Sequence, residues 1–131
     1  MTRPSIPAPL RDALARQFDV FPDVIDRVRL VPHSRFARLH GRRVAATTRR
    51  DTIYLAGSLA SFVRDPELVL HEYFHVLAQW NTGALTVWRY LRESLRHGYR
   101  DNRFEVEARA FTRRHVLAFA ASIGSHEAAR A

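Results

Sequence analysis

Apolar side chains recur along the chain at two spacings, one typical of helices and the other of strands. Residues 8–18 carry them at every third or fourth position, which predicts a short amphipathic helix. Residues 28–31 alternate loosely and stop at a proline, so we expect a first strand there. Two β-branched runs, 44–48 and 52–56, flank a polar triplet and predict a hairpin.

The sharpest boundary in this pattern lies at residues 65–67. Asp65 is a typical N-cap, Pro66 suits the first helical position, and Glu67 places an acid in the first turn. The helix that follows, over residues 66–80, is apolar on every side of its helical wheel. We therefore expect this helix to be buried at the centre of the molecule.

Two further helices are expected in the second half of the chain. One covers residues 85–97, and we expect its Trp88 and Tyr90 to lie in the core. The other begins at an Asp101 cap and runs to about residue 121 with one apolar face. A few strands followed by a run of helices is the order of an α+β domain.

Length and composition favour a single globular domain. The 131 residues are 47% apolar, so we assign residues 1–131 to one domain with its own core. Its proline-rich residues 1–9 are predicted to be extended or disordered. The chain shows no apolar signal segment and no run that approaches a membrane span. We therefore expect a cytoplasmic protein without membrane contact.

The chain is strongly basic, with a net charge of +8 and arginine at all 21 basic positions. GC-rich codon usage alone produces such a bias, and charge bears on partners rather than on fold. The arginines do not alternate with aromatic residues as a nucleic-acid stacking platform requires, which disfavours nucleic-acid binding. An acidic peptide or protein partner fits the charge.

Residues 71–75 match the pattern His-Glu-x-x-His on the predicted central helix. Positions four apart share a helix face, so the His71 and His75 imidazoles can reach one metal ion at about 2.0–2.1 Å. Glu72 is turned about 100° away and can reach a metal-bound water without binding the ion. The alternative is two hydrogen-bonded core histidines with a glutamate on the surface. The apolar surroundings disfavour it, because burying two unpaired histidines and a glutamate in such a helix is costly. We predict a zinc ion, with Glu72 as general base.

A catalytic zinc ion needs a third protein ligand and an open fourth position. The chain has no cysteine, so that ligand must be His, Asp or Glu. A third histidine in the pattern HExxHxxGxxH is absent, because Ala78 and Asn81 stand at the diagnostic positions. The last predicted helix offers Glu105 and Glu107 on opposite sides of Phe104. Helical geometry alone leaves these two glutamates almost equal.

An HExxH motif followed by a glutamate on a later helix resembles the gluzincins, the thermolysin-like zinc peptidases. Residues 104–111 are similar to the third-ligand helix of the CAAX-prenyl and membrane heat-shock metalloproteases, which reads aromatic-Glu-x-x-Ala-Asp-x-Phe. Residues 28–79 also resemble a bacterial family of HExxH peptidases found as a core domain in proteins linked to contractile injection systems. The matching positions outside HExxH are Thr47, Thr48, Ile53, Tyr54, Leu68 and Gln79.

These resemblances imply a minimal zincin-like fold, in which a small twisted sheet lies over the HExxH helix with two further helices below. They make Glu105 the third zinc ligand and leave Glu107 outside the site. They also imply that the strand before the active-site helix is the sheet edge. On that basis Ile53, Tyr54 and Leu55 are expected to bind a peptide substrate by β-addition.

The sequence departs from the gluzincin pattern at Arg109, where an aspartate usually supports a zinc histidine through its outer N–H. Loss of such support lowers affinity or activity by about 10–100-fold. Glu107 and Asp101 are candidates to replace it, and Gln79 shares the wheel face of Glu72 and can line the site.

The resemblance also requires a donor opposite the base that stabilises the oxyanion. His97, Tyr99 and Arg103 lie in the right part of the sequence, and all three stay open as candidates.

The residues together predict a zinc metallopeptidase with His71, His75 and Glu105 as ligands and Glu72 as base. Its substrate is expected to be a peptide or protein, with acidic ones favoured by the basic surface. The alternative is a non-catalytic zincin-like module, in which zinc stabilises the fold and the surface binds a partner. A narrow cleft or a blocked fourth position would favour that module.

Overall fold

The computed structural model describes residues 3–38 and 45–130, and its centre is one helical segment packed between a small sheet and a long helix. Its α-helices are α1 (Ala8–Phe18), α2 (Pro22–Asp26), α3 (Arg35–Arg38), α4 (Leu59–Val63), α5 (Pro66–Phe74), α6 (Val87–His97) and α7 (Arg103–Arg130). Its strands are β1 (Arg29–Val31), β2 (Ala46–Arg49) and β3 (Thr52–Leu55). The chain is therefore α+β, as the sequence predicts.

The sheet has the order β1-β3-β2, with β3 in the middle. β1 pairs with β3 in parallel and β2 pairs with it antiparallel. Both backbone edges of β3 are therefore occupied, and the expected β-addition of a peptide at Ile53, Tyr54 and Leu55 is wrong. Ile53 and Leu55 are instead buried core residues. Within the described part of the chain, β1 and β2 are the two edge strands of the sheet, each paired on one side only.

The hairpin forms as predicted, although the start of its first run at Val44 lies outside the described residues. Arg50 and Asp51 make the turn, with Asp51 in the left-handed region at φ 52°. The Asn81 amide clamps this turn, because its Nδ2 donates to the Asp51 carboxylate at 2.7 Å and its Oδ1 accepts from the Asp51 N–H at 3.2 Å. The hairpin tip is thereby fixed to the end of the central helical segment.

The central helix begins as its sequence predicts. The Asp65 carboxylate accepts a hydrogen bond from the Leu68 N–H at 3.1 Å, and Pro66 occupies the first position. α5 packs against α7 and β2, and its Val69, Leu70 and Tyr73 are buried. From His75 to Trp80 the helix widens into a π-helix, whereas the sequence predicts a uniform α-helix over residues 66–80. Such widened turns occur often at functional sites.

The two C-terminal helices differ from expectation at their ends and in their exposure. Asn102, not Asp101, caps α7, because the Asn102 Oδ1 accepts from the Phe104 N–H at 2.9 Å. α7 also extends to Arg130, beyond the predicted end. The prediction that Trp88 is a core residue is wrong, since α6 lies on the surface and leaves this side chain 81% exposed.

The short helices α2, α3 and α4 were not predicted, because four or five residues are too few to show a 3.6-residue period. Only their caps carry a signal, as at Ser58, whose Oγ accepts from the Ser61 N–H at the start of α4. Residues 3–7 lead into α1, and Ile6 packs against the core. No helix within the described ranges is long and apolar enough to cross a membrane.

Two neighbours on α7 test the position of this helix in the core. Phe119 is 1% exposed and Leu117 is 85% exposed. Phe119→Ala should lower the free energy of unfolding by about 3–5 kcal/mol, because it leaves a cavity. Leu117→Ala should change it by less than about 0.5 kcal/mol. Urea unfolding measures both, and equal effects would contradict the placement of α7.

Candidate metal centre

Three potential ligand atoms from three neighbouring elements of the core converge on one point. His71 lies on α5, His75 opens the π-helical segment, and Glu105 lies in the first turn of α7. The two histidine Nε2 atoms are 3.1 Å apart, and each is 3.1 Å from the Glu105 Oε1. A tetrahedral ion about 2.0–2.1 Å from its ligands holds them roughly 3.3 Å apart. The three side chains can therefore hold one metal ion.

The charges of this group are strongly coupled. Burial alone disfavours the charged form of Glu105, but hydrogen bonds and charge from His71 and His75 hold its pKa well below the usual range. Burial likewise disfavours protonated His75, but the hydrogen bond and charge of Glu105, together with the charge of Glu72, raise the pKa of His75 to about 9. The carboxylate is thus ionised and ready to bind a cation.

Gln79 fixes the orientation of His75. The His75 Nδ1 donates to the Gln79 Oε1 at 2.6 Å, since an amide oxygen can only accept. This bond leaves the Nε2 of the same ring for a metal ion. The Gln79 amide nitrogen donates in turn to the Phe104 carbonyl oxygen at 3.0 Å, directly before Glu105. One buried glutamine therefore positions two of the three ligands, which is more than the lining role expected of it.

The second carboxylate oxygen of Glu105 is also occupied. The Tyr90 hydroxyl donates to the Glu105 Oε2 at 3.1 Å. Fully buried Asn102 holds the Tyr90 segment in place, because its Nδ2 donates to the Tyr90 carbonyl oxygen and to the Ser94 Oγ. Sequence reasoning placed Tyr90 in the core and missed this role. The only signal was that a buried tyrosine hydroxyl needs a partner.

Glu72 lies beside the ligands without joining them. Its side chain is buried and lines the same cleft as His75 and Glu105. Burial raises the pKa of Glu72, the charges of His75 and His71 oppose the rise, and the charge of Glu105 adds to it. A carboxyl group with a raised pKa next to a metal site is suited to accept and return a proton.

A cleft of about 270 Å³ opens on this group. β2 forms one wall, and Val87 and Leu91 of α6 form the other. Trp80 ties β2 to the central helical segment, because its Nε1–H donates to the Thr48 Oγ1 at 3.1 Å. Of the two edge strands, β2 is therefore the one that borders the candidate metal centre.

The three proposed oxyanion donors lie in different places. Tyr99 lines the cleft with the ligands. His97 is exposed and stands 3.9 Å from the Glu93 carboxylate, while the Arg103 guanidinium lies 4.7 Å from the centre of the Phe104 ring. Tyr99 is thus the candidate that the fold brings to the site.

None of the residues at Arg109, Glu107 and Asp101 donates a hydrogen bond to His71 or His75, or accepts one from them, in the described hydrogen bonds. Arg109 turns to the preceding loop, where its guanidinium donates to the Arg100 carbonyl oxygen. Glu107 and Asp101 are exposed. The support that the sequence was expected to supply from α7 comes instead from Gln79, on the helix of the histidines themselves.

Comparison with known proteins adds no relative to this picture. A scan against protein-family models, a search of curated proteins and a search of solved structures each found no match. The resemblance to zinc peptidases therefore rests on the motif and on the geometry of the site.

Removing the Gln79 amide should weaken metal binding. We expect Gln79→Ala to reduce the affinity by about 10–100-fold, as is typical when a ligand histidine loses its outer hydrogen bond. Gln79→Glu keeps an acceptor for His75 and should bind more tightly than the alanine variant. Competition with a chelator measures the metal affinity of the wild type and of both variants. Gln17→Ala on α1 is the control, and a Gln79→Ala variant that is folded and binds as the wild type does would contradict this role.

Metal binding should release a proton. With the His75 pKa at about 9, the apo site is protonated at neutral pH, and a metal ion requires the neutral imidazole. Affinity should therefore rise about tenfold per pH unit from pH 7 to 9 and then level off. Calorimetry in buffers of different ionisation enthalpy measures the release at pH 7.5. An affinity that is already constant above about pH 6.5 would show an unperturbed histidine.

Proposed function

We propose that this protein is a zinc-dependent metallopeptidase with a minimal gluzincin-type fold. The observation that carries the proposal is the convergence of His71, His75 and Glu105 at 3.1 Å spacing. Two imidazoles and one carboxylate are the ligands of catalytic zinc sites in peptidases. The donors also suit zinc better than calcium or magnesium, which prefer an all-oxygen shell.

The surroundings of the three ligands favour catalysis over a purely structural ion. Structural zinc sites are closed by four protein ligands, whereas catalytic sites keep a position open. Three protein ligands converge here, and a cleft of about 270 Å³ opens beside them. A buried Glu72 in that cleft has no ligand role and fits the position of a base.

The chain's own residues account for the proton transfers of peptide hydrolysis. A bound zinc ion supplies a Lewis acid that polarises a carbonyl and makes a nearby water acidic. Glu72 takes the proton of the attacking water and returns it to the leaving amine. Burial, and then the charges of Glu105 and Glu72, raise the pKa of Tyr99, so its hydroxyl stays protonated and can donate to the oxyanion.

The substrate is proposed to be an extended peptide lying along β2. The free edge of this strand borders the cleft, so backbone hydrogen bonds can align a peptide with the metal centre. Arg49 lines the end of this wall, and the chain carries a net charge of +8. Both features favour acidic peptides, most strongly at low salt.

The two glutamates of α7 test the ligand set. Glu105→Gln removes a charged ligand and should lower zinc affinity at least about tenfold, because two histidines hold the ion weakly. Glu107→Gln, on the exposed side of the same helix, is the matched control and should bind zinc as the wild type does. Competition with a zinc-binding dye measures both affinities. The reverse ranking would place the third ligand two residues later.

Glu72 separates a peptidase from a binding module. Glu72→Gln should leave zinc content and fold unchanged and should lower peptide hydrolysis by about 10²–10⁴-fold. Cleavage of a peptide library enriched in acidic sequences measures this, with Glu67→Gln at the exposed start of α5 as control. Equal cleavage by wild type and Glu72→Gln would indicate a contaminating protease. A zinc-loaded wild type that cleaves no peptide would favour the non-catalytic module.

A further inference from the structure

The outward face of α6 is apolar and takes no part in the core. Trp88 and Leu95 are 81% and 87% exposed, and Leu91 between them is 48% exposed. Their spacing of three and four residues places them in one stripe along the helix. None of the eleven residues of α6 is fully buried, so this stripe does not stabilise the fold by packing.

Cationic side chains run beside this stripe. Arg92 and Arg96 follow Trp88 and Leu95 on the helical wheel, and both are exposed. The one acid of the helix, Glu93, has a side chain that is only 15% exposed and turns towards His97 at 3.9 Å. The outward surface of α6 therefore combines large apolar side chains with positive charge. Among the four longest α-helices, α1, α5, α6 and α7, it is the most amphipathic.

The opposite side of α6 anchors the helix to the body of the protein. Asn102 donates to the Tyr90 carbonyl oxygen and the Ser94 Oγ, and the Tyr90 hydroxyl donates to Glu105. These bonds hold the helix through its inner side and leave Trp88 and Leu95 facing outwards.

We propose that this face of α6 binds the surface of an anionic lipid bilayer. A helix with tryptophan and leucine on one side, arginines beside them and a modest overall hydrophobicity lies in the membrane interface without crossing it. Arginine stems can follow the apolar surface while their guanidinium groups reach lipid phosphates. The net charge of +8 attracts the whole chain to an anionic surface.

The same observations disfavour the other occupants of this face. A second copy of the chain would bring two basic surfaces and two rows of arginines together, and these repel each other. Docking of an amphipathic helix on a partner protein needs a preformed groove, whereas a bilayer accommodates an apolar stripe without a preformed site. This proposal differs from the sequence-based expectation of a protein without membrane contact.

α6 places the proposed lipid-binding face next to the cleft of the candidate metal centre. Val87 and Leu91 lie on the apolar face and also form a wall of the cleft at the metal centre. A bilayer seated on Trp88 and Leu95 therefore lies beside the mouth of the cleft. Lipid binding can be tested separately from the proposed peptidase activity, because Trp88 and Leu95 do not line the cleft.

Vesicle flotation tests the proposal with the full chain. Wild-type protein should float with phosphatidylcholine vesicles that contain roughly 30% phosphatidylglycerol, and floating should weaken with salt. The double variant Trp88→Glu/Leu95→Glu should bind at least about tenfold more weakly, since it places two charges in the apolar stripe. Leu117→Glu is the control, because this leucine is equally exposed but lies on α7. Circular dichroism verifies that each variant is folded.

Tryptophan fluorescence distinguishes insertion from charge attraction alone. In a Trp80→Phe background Trp88 is the remaining tryptophan, and its emission should shift to the blue and be quenched by brominated lipids. If the Trp88→Glu/Leu95→Glu variant misfolds, the variant Arg92→Glu/Arg96→Glu serves as the substitute test. It should lose binding to the anionic vesicles. The proposal is overturned if the wild type does not float, if Leu117→Glu loses binding equally, or if Trp88 emission is unchanged. Comparable binding to soluble polyglutamate would assign the face to an acidic protein instead.

Discussion

A buried carboxylate that needs compensation on both of its oxygens determines how the helices around the site are arranged. The Glu105 Oε1 meets His71 and His75, and its Oε2 meets the Tyr90 hydroxyl. An ionised carboxylate without such partners would cost several kcal/mol to bury. The central helical segment, which carries the two histidines, and α6, which carries Tyr90, are therefore held against α7 around a single charge.

Two buried amides extend this constraint into the fold. Gln79 joins His75 to the backbone next to Glu105, and Asn102 joins the cap of α7 to α6. Gln79 is four residues after the histidine that it orients, and Asn102 is two residues before the Phe104 N–H that it caps. Each amide therefore links the local geometry of its helix to the candidate metal centre. A buried polar network of this kind is favourable when every member is satisfied, and it then specifies one packing. The same connections leave the outer face of α6 without a structural role.

The sequence predicted those parts of the site that depend on local geometry. Two histidines four residues apart on a capped helix share a face whatever surrounds them, so His71, His75 and the Asp65 cap could be placed. The helical wheel left Glu105 and Glu107 almost equal as candidates for the third ligand. The resemblance to zinc-peptidase helices was needed to choose Glu105. In the structure Glu105 joins the histidines and Glu107 is exposed.

The parts that the sequence missed depend on contacts between distant elements. The central position of β3 follows from its parallel pairing with β1, which no pattern within either strand encodes. Tyr90 meets Glu105 only because Asn102 brings α6 to the start of α7. The exposure of Trp88 has the same origin, because amphipathicity identifies an apolar face but not the side of the body to which it turns.

X-ray absorption at the zinc edge tests the central claim most directly, with protein purified without chelators. We expect close to one zinc ion per chain, bound by two imidazole nitrogens, one carboxylate oxygen and one further oxygen at about 2.0–2.1 Å. The imidazole signal and the metal should be lost together in His75→Ala. Protein that is folded but takes up no zinc, or zinc bound without imidazole ligands, would contradict the proposed metal centre.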